Sequence, residues 1–206
     1  MVWWWIALCL TRLRRTTLLY AVLASASIAF SLISAPGLTG VLGAGLGIFM
    51  LAIAVIDGRR FIIPNALTAA AFGLGLLHAA VISAQATWPA VALPALGLAI
   101  SLAIARALAL ALFFSAVRLA YKAVRGRDGL GLGDVKLAGV GGAWLDWVMM
   151  PIAIELAAVV ALVVYGLRQA VLGRALVATH RLPFGLFFAP AIWLCWVMER
   201  LWLAAF

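Results

Sequence analysis

Long apolar runs follow one another along this chain with little between them. They cover residues 17–35, 38–56, 65–83, 92–120, 134–149, 151–167 and 184–204. A run of about 20 apolar residues is the length that crosses a bilayer as a helix. In lipid, backbone N–H and C=O groups must pair within the segment, which leaves helices or closed barrels. The runs are continuous rather than alternating, so helices are expected. Only 10% of the 206 residues are charged, too few to coat a water-facing globule. The expected fold is therefore all-α, a polytopic transmembrane bundle of about seven spans, with six as the smaller count for its core. Residues 1–16 are expected as an interfacial segment, and 17–206 as one membrane-embedded domain. The opening VWWWIALCL spans about half a bilayer and suits the interface. The stretch LISAPG is a poor cleavage site, so the first span is expected to be kept as an anchor.

The formal net charge is +9. In a soluble chain that would suggest nucleic acid; in a membrane chain it marks the cytoplasmic loops, and no nucleic-acid partner is expected. Arg12, Arg14 and Arg15 precede the first span, and Arg59 and Arg60 follow the second. Arg118, Lys122, Arg125, Arg127 and Lys136 flank the connection between the fourth and fifth. Arg168, Arg174 and Arg181 flank the one between the sixth and seventh. Thirteen of the fifteen basic residues thus share one side, leaving Arg106 and Arg200 as exceptions. That side reads as cytoplasmic, with the amino end inside and the carboxyl end outside. Cys9 and Cys195 form no CxxC pair, and His78 and His180 are too scattered for a zinc site, so no metal or cofactor is expected.

There are only six acids. Asp57 ends the second run and Asp134 opens the fifth, which puts both at the cytoplasmic boundary. A lone boundary aspartate is most simply solvated or a helix cap, and Asp134 would suit an N-cap. Glu199 reads as a partner for Arg200, Asp128 as a solvated loop charge, and Asp146 as interfacial. Glu155 falls inside the sixth run, with Arg106 as a conceivable partner. Glycines set Asp134 apart. Gly129, Gly131 and Gly133 precede it, and Gly139, Gly141 and Gly142 follow. Glycines on its loop side suit a substrate backbone passing close.

Three blocks together resemble the type IV prepilin peptidase family, bacterial aspartic membrane proteases of the GxGD type. The first is Asp57-Gly-Arg-Arg-Phe-Ile-Ile-Pro64-Asn65. The second is Gly126-Arg-Asp-Gly-Leu-Gly131-Leu-Gly133-Asp134-Val-Lys136-Leu, followed by Gly142-Ala-Trp144. The third is Leu182-Pro183-Phe184-Gly185. The resemblance implies that Asp57 and Asp134 are the catalytic pair. Gly131, Gly133, Lys136, Pro64, Asn65, Pro183 and Gly185 are expected to support them or line the substrate cleft. Many relatives carry an amino-terminal domain with paired CxxC motifs linked to methylation; here 16 residues precede the first long span, so methyl transfer is not expected.

Two facing carboxylates cannot both ionise easily, so one keeps a proton while the other activates water. A helix N-terminus favours charge at Asp134 and a helix C-terminus disfavours it at Asp57. On that ground Asp134 is expected as the resting base and Asp57 as its protonated partner, with Lys136 strengthening the bias. The implied substrates are prepilin or pseudopilin precursors with short basic leaders. The membrane is the bacterial inner membrane, with the site facing the cytoplasm. Lipid and the pilus or secretion machinery are the further partners. A proton-coupled transporter and an inactive pilus-assembly scaffold stay open as alternatives. Pro94-Ala95-Leu96 precedes the GxGD block and is read as chance.

Overall fold

The computed structural model of the protein describes residues 2–86, 92–126, 129–172 and 183–204; the side chains of residues 2–16 and 92 are outside that description. Expectations for Asp128, Arg127, Arg174, His180, Arg181, Leu182 and the side chains of Cys9, Arg12, Arg14 and Arg15 fall outside it. Seven helices account for nearly everything described. They are α1 (Val2–Ser34), α2 (Leu38–Arg60), α3 (Asn65–Ala86), α4 (Ala92–Arg125), α5 (Leu132–Trp144), α6 (Met149–Val171) and α7 (Phe184–Ala204). Proline sets several of the boundaries. Pro36 follows the end of α1, and Pro64 and Pro183 stand immediately before α3 and α7. The residue before a proline is driven out of the helical region, so each helix stops or starts there. The carbonyls of Pro64 and Pro183 then accept the amide hydrogens of Thr68 and Leu186, each at 3.2 Å.

Six of the helices are long and apolar enough to cross a membrane. The chain is a multi-pass membrane protein. The exception is α5, expected as a span over 134–149. It has 13 residues, about 20 Å of helix against a hydrocarbon core of about 30 Å. Asp146 breaks the run after Trp144, and α6 starts only three residues later. Thus α5 enters the bundle from one end and stops inside it.

What holds α5 is burial on several sides. Gly142 lets it approach α4 at backbone distance: a Cβ there would lie 2.5 Å from the Arg106 carbonyl oxygen and 2.6 Å from the Ala107 Cα. Trp144 is buried, and its Nε1–H donates to the Ala71 carbonyl of α3 at 2.9 Å. His78 of α3 stacks on the Trp144 ring at 4.6 Å between centroids, and its Nε2 accepts from Trp196 Nε1 of α7 at 3.1 Å. His78 is thus a buried packing residue between α3, α5 and α7. The large buried side chains come mostly from α2, α5 and α7: Leu46, Met50, Ile53, Leu137, Val140, Phe188, Ile192 and Trp196. These three helices form the inside, and the spans around them present wide apolar faces.

The carboxyl end of α5 meets the unexpected charges. Arg106 pairs with Asp146 at 3.5 Å, and Arg200 with Glu199 at 2.7 Å. The Asp146 amide also donates to Glu199 at 3.4 Å. Arg106 therefore partners Asp146 and not Glu155, which is exposed on α6. The spacing on α4 explains it: Arg106 lies beside the point where the short α5 ends. The pairing of Glu199 with Arg200 is as expected.

Cross-contacts also sort the helix ends. The start of α7 touches the end of α2, and the start of α5 touches the start of α3. At the other end, Thr39 of α2 donates to Gln85 of α3 at 3.3 Å. The ends carrying Arg59, Arg60, Lys122, Arg125 and Lys136 thus lie together, and they carry Asp57 and Asp134 with them.

Candidate active site

Asp57 lies in the last turn of α2. Beyond it the chain reverses through Phe61, whose φ of +54° is left-handed. Phe61 donates its amide hydrogen to the Asp57 carbonyl at 2.8 Å, closing the helix. Ile62, Ile63 and Pro64 then lead into α3. Asp57 is 5% exposed, and its Oδ2 accepts the Leu186 amide hydrogen at 3.1 Å. Leu186 is in the first turn of α7, where backbone N–H groups lack helical partners. Asp57 therefore sits at two helix ends at once, the carboxyl end of α2 and the amino end of α7.

Asp134 lies in the first turn of α5. The N-cap is Gly131 rather than Asp134, which occupies the third helical position and reaches back. Its Oδ2 accepts the Gly131 amide hydrogen at 3.1 Å, the return half of a capping box. The Asp134 carboxyl is pushed up from 3.8 to about 6. Burial is the largest cause; the Gly131 hydrogen bond opposes it, and the charge of Asp57 adds to the rise. The last effect ties the two acids to one electrostatic site.

Ile63 is the residue that motif reading missed. It is buried and reaches both acid-bearing regions. A Cβ on Gly133 would lie 2.9 Å from the Ile63 Cβ; one on Gly185 would lie 2.8 Å from its Cδ1 and 2.9 Å from Asp57 Oδ2. Both glycines are thus close-approach positions around one isoleucine. An apolar residue before Pro64 gave no local signal of this, because the contacts come from α5 and α7.

The glycines ahead of Asp134 divide accordingly. Gly133 makes room for Ile63, and Gly129 makes room for the Tyr121 ring, which a Cβ there would overlap. Internal packing accounts for both. Gly131 faces Asp134 itself, a Cβ there being 3.1 Å from Oδ2. Pro64 and Pro183 each stand just ahead of a helix at this end.

Lys136 and Asn65 are brought together, Nζ donating to Asn65 Oδ1 at 2.7 Å. Two residues along a helix turn the side chain by about 200°, so Lys136 leaves α5 on the face opposite Asp134. Lys136 and Asn65 line a groove between α3 and α5. The arrangement can therefore offer a reactant two carboxyl groups, one of them raised by burial well above the usual carboxylate range. Both are presented at the basic end of the bundle.

The sequence pattern of the type IV leader peptidase family matches residues 44–167, a segment that contains both aspartates. A prepilin leader peptidase/N-methyltransferase of Burkholderia pseudomallei is 31% identical, over 81% of this chain and 50% of the relative. One of Aeromonas salmonicida is 35% identical, over 36% of this chain and 25% of the relative. The leader peptidase HopD of Salmonella typhimurium is 32% identical, over 69% of this chain and 83% of the relative. The chain thus spans from a quarter to about half the length of the bifunctional relatives, and most of the length of HopD. No solved structure matches it.

Proposed function

Because the chain belongs to the type IV leader peptidase family, we propose that it is an aspartic endopeptidase that removes the short basic leader from type IV pilin-like precursors. Asp57 and Asp134 are its catalytic pair. The observation that carries the reading is their convergence: two acids 77 positions apart, from different helices, stand at one end of an apolar bundle, where Ile63 packs against both Gly133 beside Asp134 and Gly185 beside Asp57. The site faces the cytoplasm of a bacterial inner membrane, in keeping with the basic residues that surround it.

In this reading the pair shares one proton. The contrast between an α2 carboxyl end and an α5 amino end, which made Asp134 the resting base, loses its force. Asp57 also lies at the amino end of α7, where negative charge is stabilised. Burial and the neighbouring charge of Asp57 raise the Asp134 carboxyl to about 6, and the shared proton is assigned to it on that ground. Asp57, steadied by the Leu186 amide, acts as the base. It takes a proton from a water, which attacks the scissile carbonyl, while Asp134 donates a hydrogen bond to the developing oxyanion. The Asp134 proton then passes to the leaving amine. The precursor lies with its leader in the cytoplasm and its apolar helix in the bilayer. Gly131 and Gly185 let the backbone come close to the two carboxyl groups, where a side chain would press on Asp134 and Asp57.

Co-expression of the chain with a pilin precursor from the same host tests the reading. The expected result is a membrane-dependent mobility shift, with the new amino terminus directly after the leader. A precursor left intact across every pilin-like protein of the host would contradict it.

A further inference from the structure

The groove on the far side of α5 from Asp134 has no part in this chemistry. It has a volume of about 360 Å³ and is open along one side. Asn65 and Lys136 stand at its basic end, and Ala69, Phe72, Gly139 and Val140 line the rest. Lys136 is exposed, and its one hydrogen-bond partner among the described residues is the neutral Asn65 amide. Among the described residues no carboxylate lies within ion-pairing distance of it. An ammonium has three donors, so two of them and the whole charge are free to meet an anion. The same end of the bundle carries Arg59 and Arg60 in the last turn of α2, and Lys122 and Arg125 in the last turn of α4.

We propose that this groove binds an anionic phospholipid, with the phosphate at Lys136 and Asn65 and an acyl chain along Ala69, Phe72 and Val140. The order of chemistry along the groove is that of such a lipid: a cation and an amide at the membrane boundary, then apolar surface leading inward along two helices. A basic pocket between membrane helices is the form that headgroup recognition takes. The local excess of positive charge favours an anion and disfavours a basic peptide. The inference rests on the membrane fold, not on the peptidase reading, so either can fail alone.

The full chain, purified in a mild detergent, would be titrated with phosphatidylglycerol and phosphatidylcholine of identical acyl chains, and bound lipid counted by native mass spectrometry. Wild type should retain one phosphatidylglycerol in preference to phosphatidylcholine. Lys136→Gln should weaken that preference about fivefold, the usual effect of one cation near an anionic lipid surface, while Lys136→Arg should keep it. Ala69→Trp should fill the groove and reduce retention of both lipids. Lys136 is exposed, so Lys136→Gln carries the test even if the tryptophan disturbs folding. Unchanged phosphatidylglycerol retention in Lys136→Gln would overturn the proposal. So would its full displacement by an added pilin precursor, which would give the groove to protein instead.

Discussion

At the scale of single residues, the site depends on how much each acid resists ionisation. The folded value of Asp134, about 6, lies above its ordinary 3.8. Folding therefore favours its protonated form. That contribution is complete below 3.8 and is lost as pH rises through about 6. Asp134→Asn should remove this dependence. Between pH 4 and pH 7 wild type should lose roughly 1–2 kcal/mol relative to the variant, allowing for partial exposure. Paired thermal unfolding curves in detergent would show it, and parallel curves would remove the basis for Asp134 as the proton holder. Phe61 offers a second check. A left-handed non-glycine residue costs roughly 1–2 kcal/mol, so Phe61→Gly should raise stability by up to about 1 kcal/mol, less its own chain entropy. This strain was not legible from the sequence, since nothing in Arg-Arg-Phe-Ile marks the residue that closes α2. The two aspartates were legible, because ionisable groups at span ends are few in so apolar a chain. The α7 amide that touches Asp57 was not, because it lies 129 positions away.

At the scale of elements, α5 and α7 converge on Ile63, and their spacing there is tight. Gly185→Ala should push against both Ile63 Cδ1 and Asp57 Oδ2. Overpacking of this kind costs about 1–3 kcal/mol, and displacement of Asp57 should lower cleavage as well as stability. Ile63→Val removes Cδ1 and should partly restore Gly185→Ala. It should not restore Gly133→Ala, whose clash is with the Ile63 Cβ. A stability and cleavage series over the three single variants and the two double variants would separate the two; equal rescue of both would mean that Ile63 is not the shared contact. Helix starts at Pro64 and Pro183 could be read directly, because proline restricts its neighbours wherever it stands. The length of α5 could not. Residues 134–149 are apolar enough to resemble a span, and only the partners of Asp146, on α4 and α7, reveal that the helix stops inside the bundle.

For the whole molecule, the short α5 divides the bundle into a basic end with two acids and an opposite region with two ion pairs. Glu199 and Arg200 have side chains 12% and 14% exposed. Breaking a buried pair by removing one partner costs about 3–5 kcal/mol, whereas replacing both is often neutral. Glu199→Leu alone should therefore destabilise the fold far more than Glu199→Leu combined with Arg200→Leu, in matched unfolding assays. Equal losses would mean the pair is not coupled. The fold class and the seven helices follow from apolar run length, and the structure bears them out; among the described residues, Arg59, Arg60, Lys122, Arg125 and Lys136 share one end. The central claim is that Asp57 and Asp134 act together on a peptide bond. Its most direct test is precursor cleavage in membranes by wild type, Asp57→Asn and Asp134→Asn at matched expression, with the products identified by mass. The account predicts cleavage by wild type directly after the leader, and loss of at least about a hundredfold in each variant, as expected for removal of a general acid or base. Cleavage at the wild-type rate by either variant would contradict it.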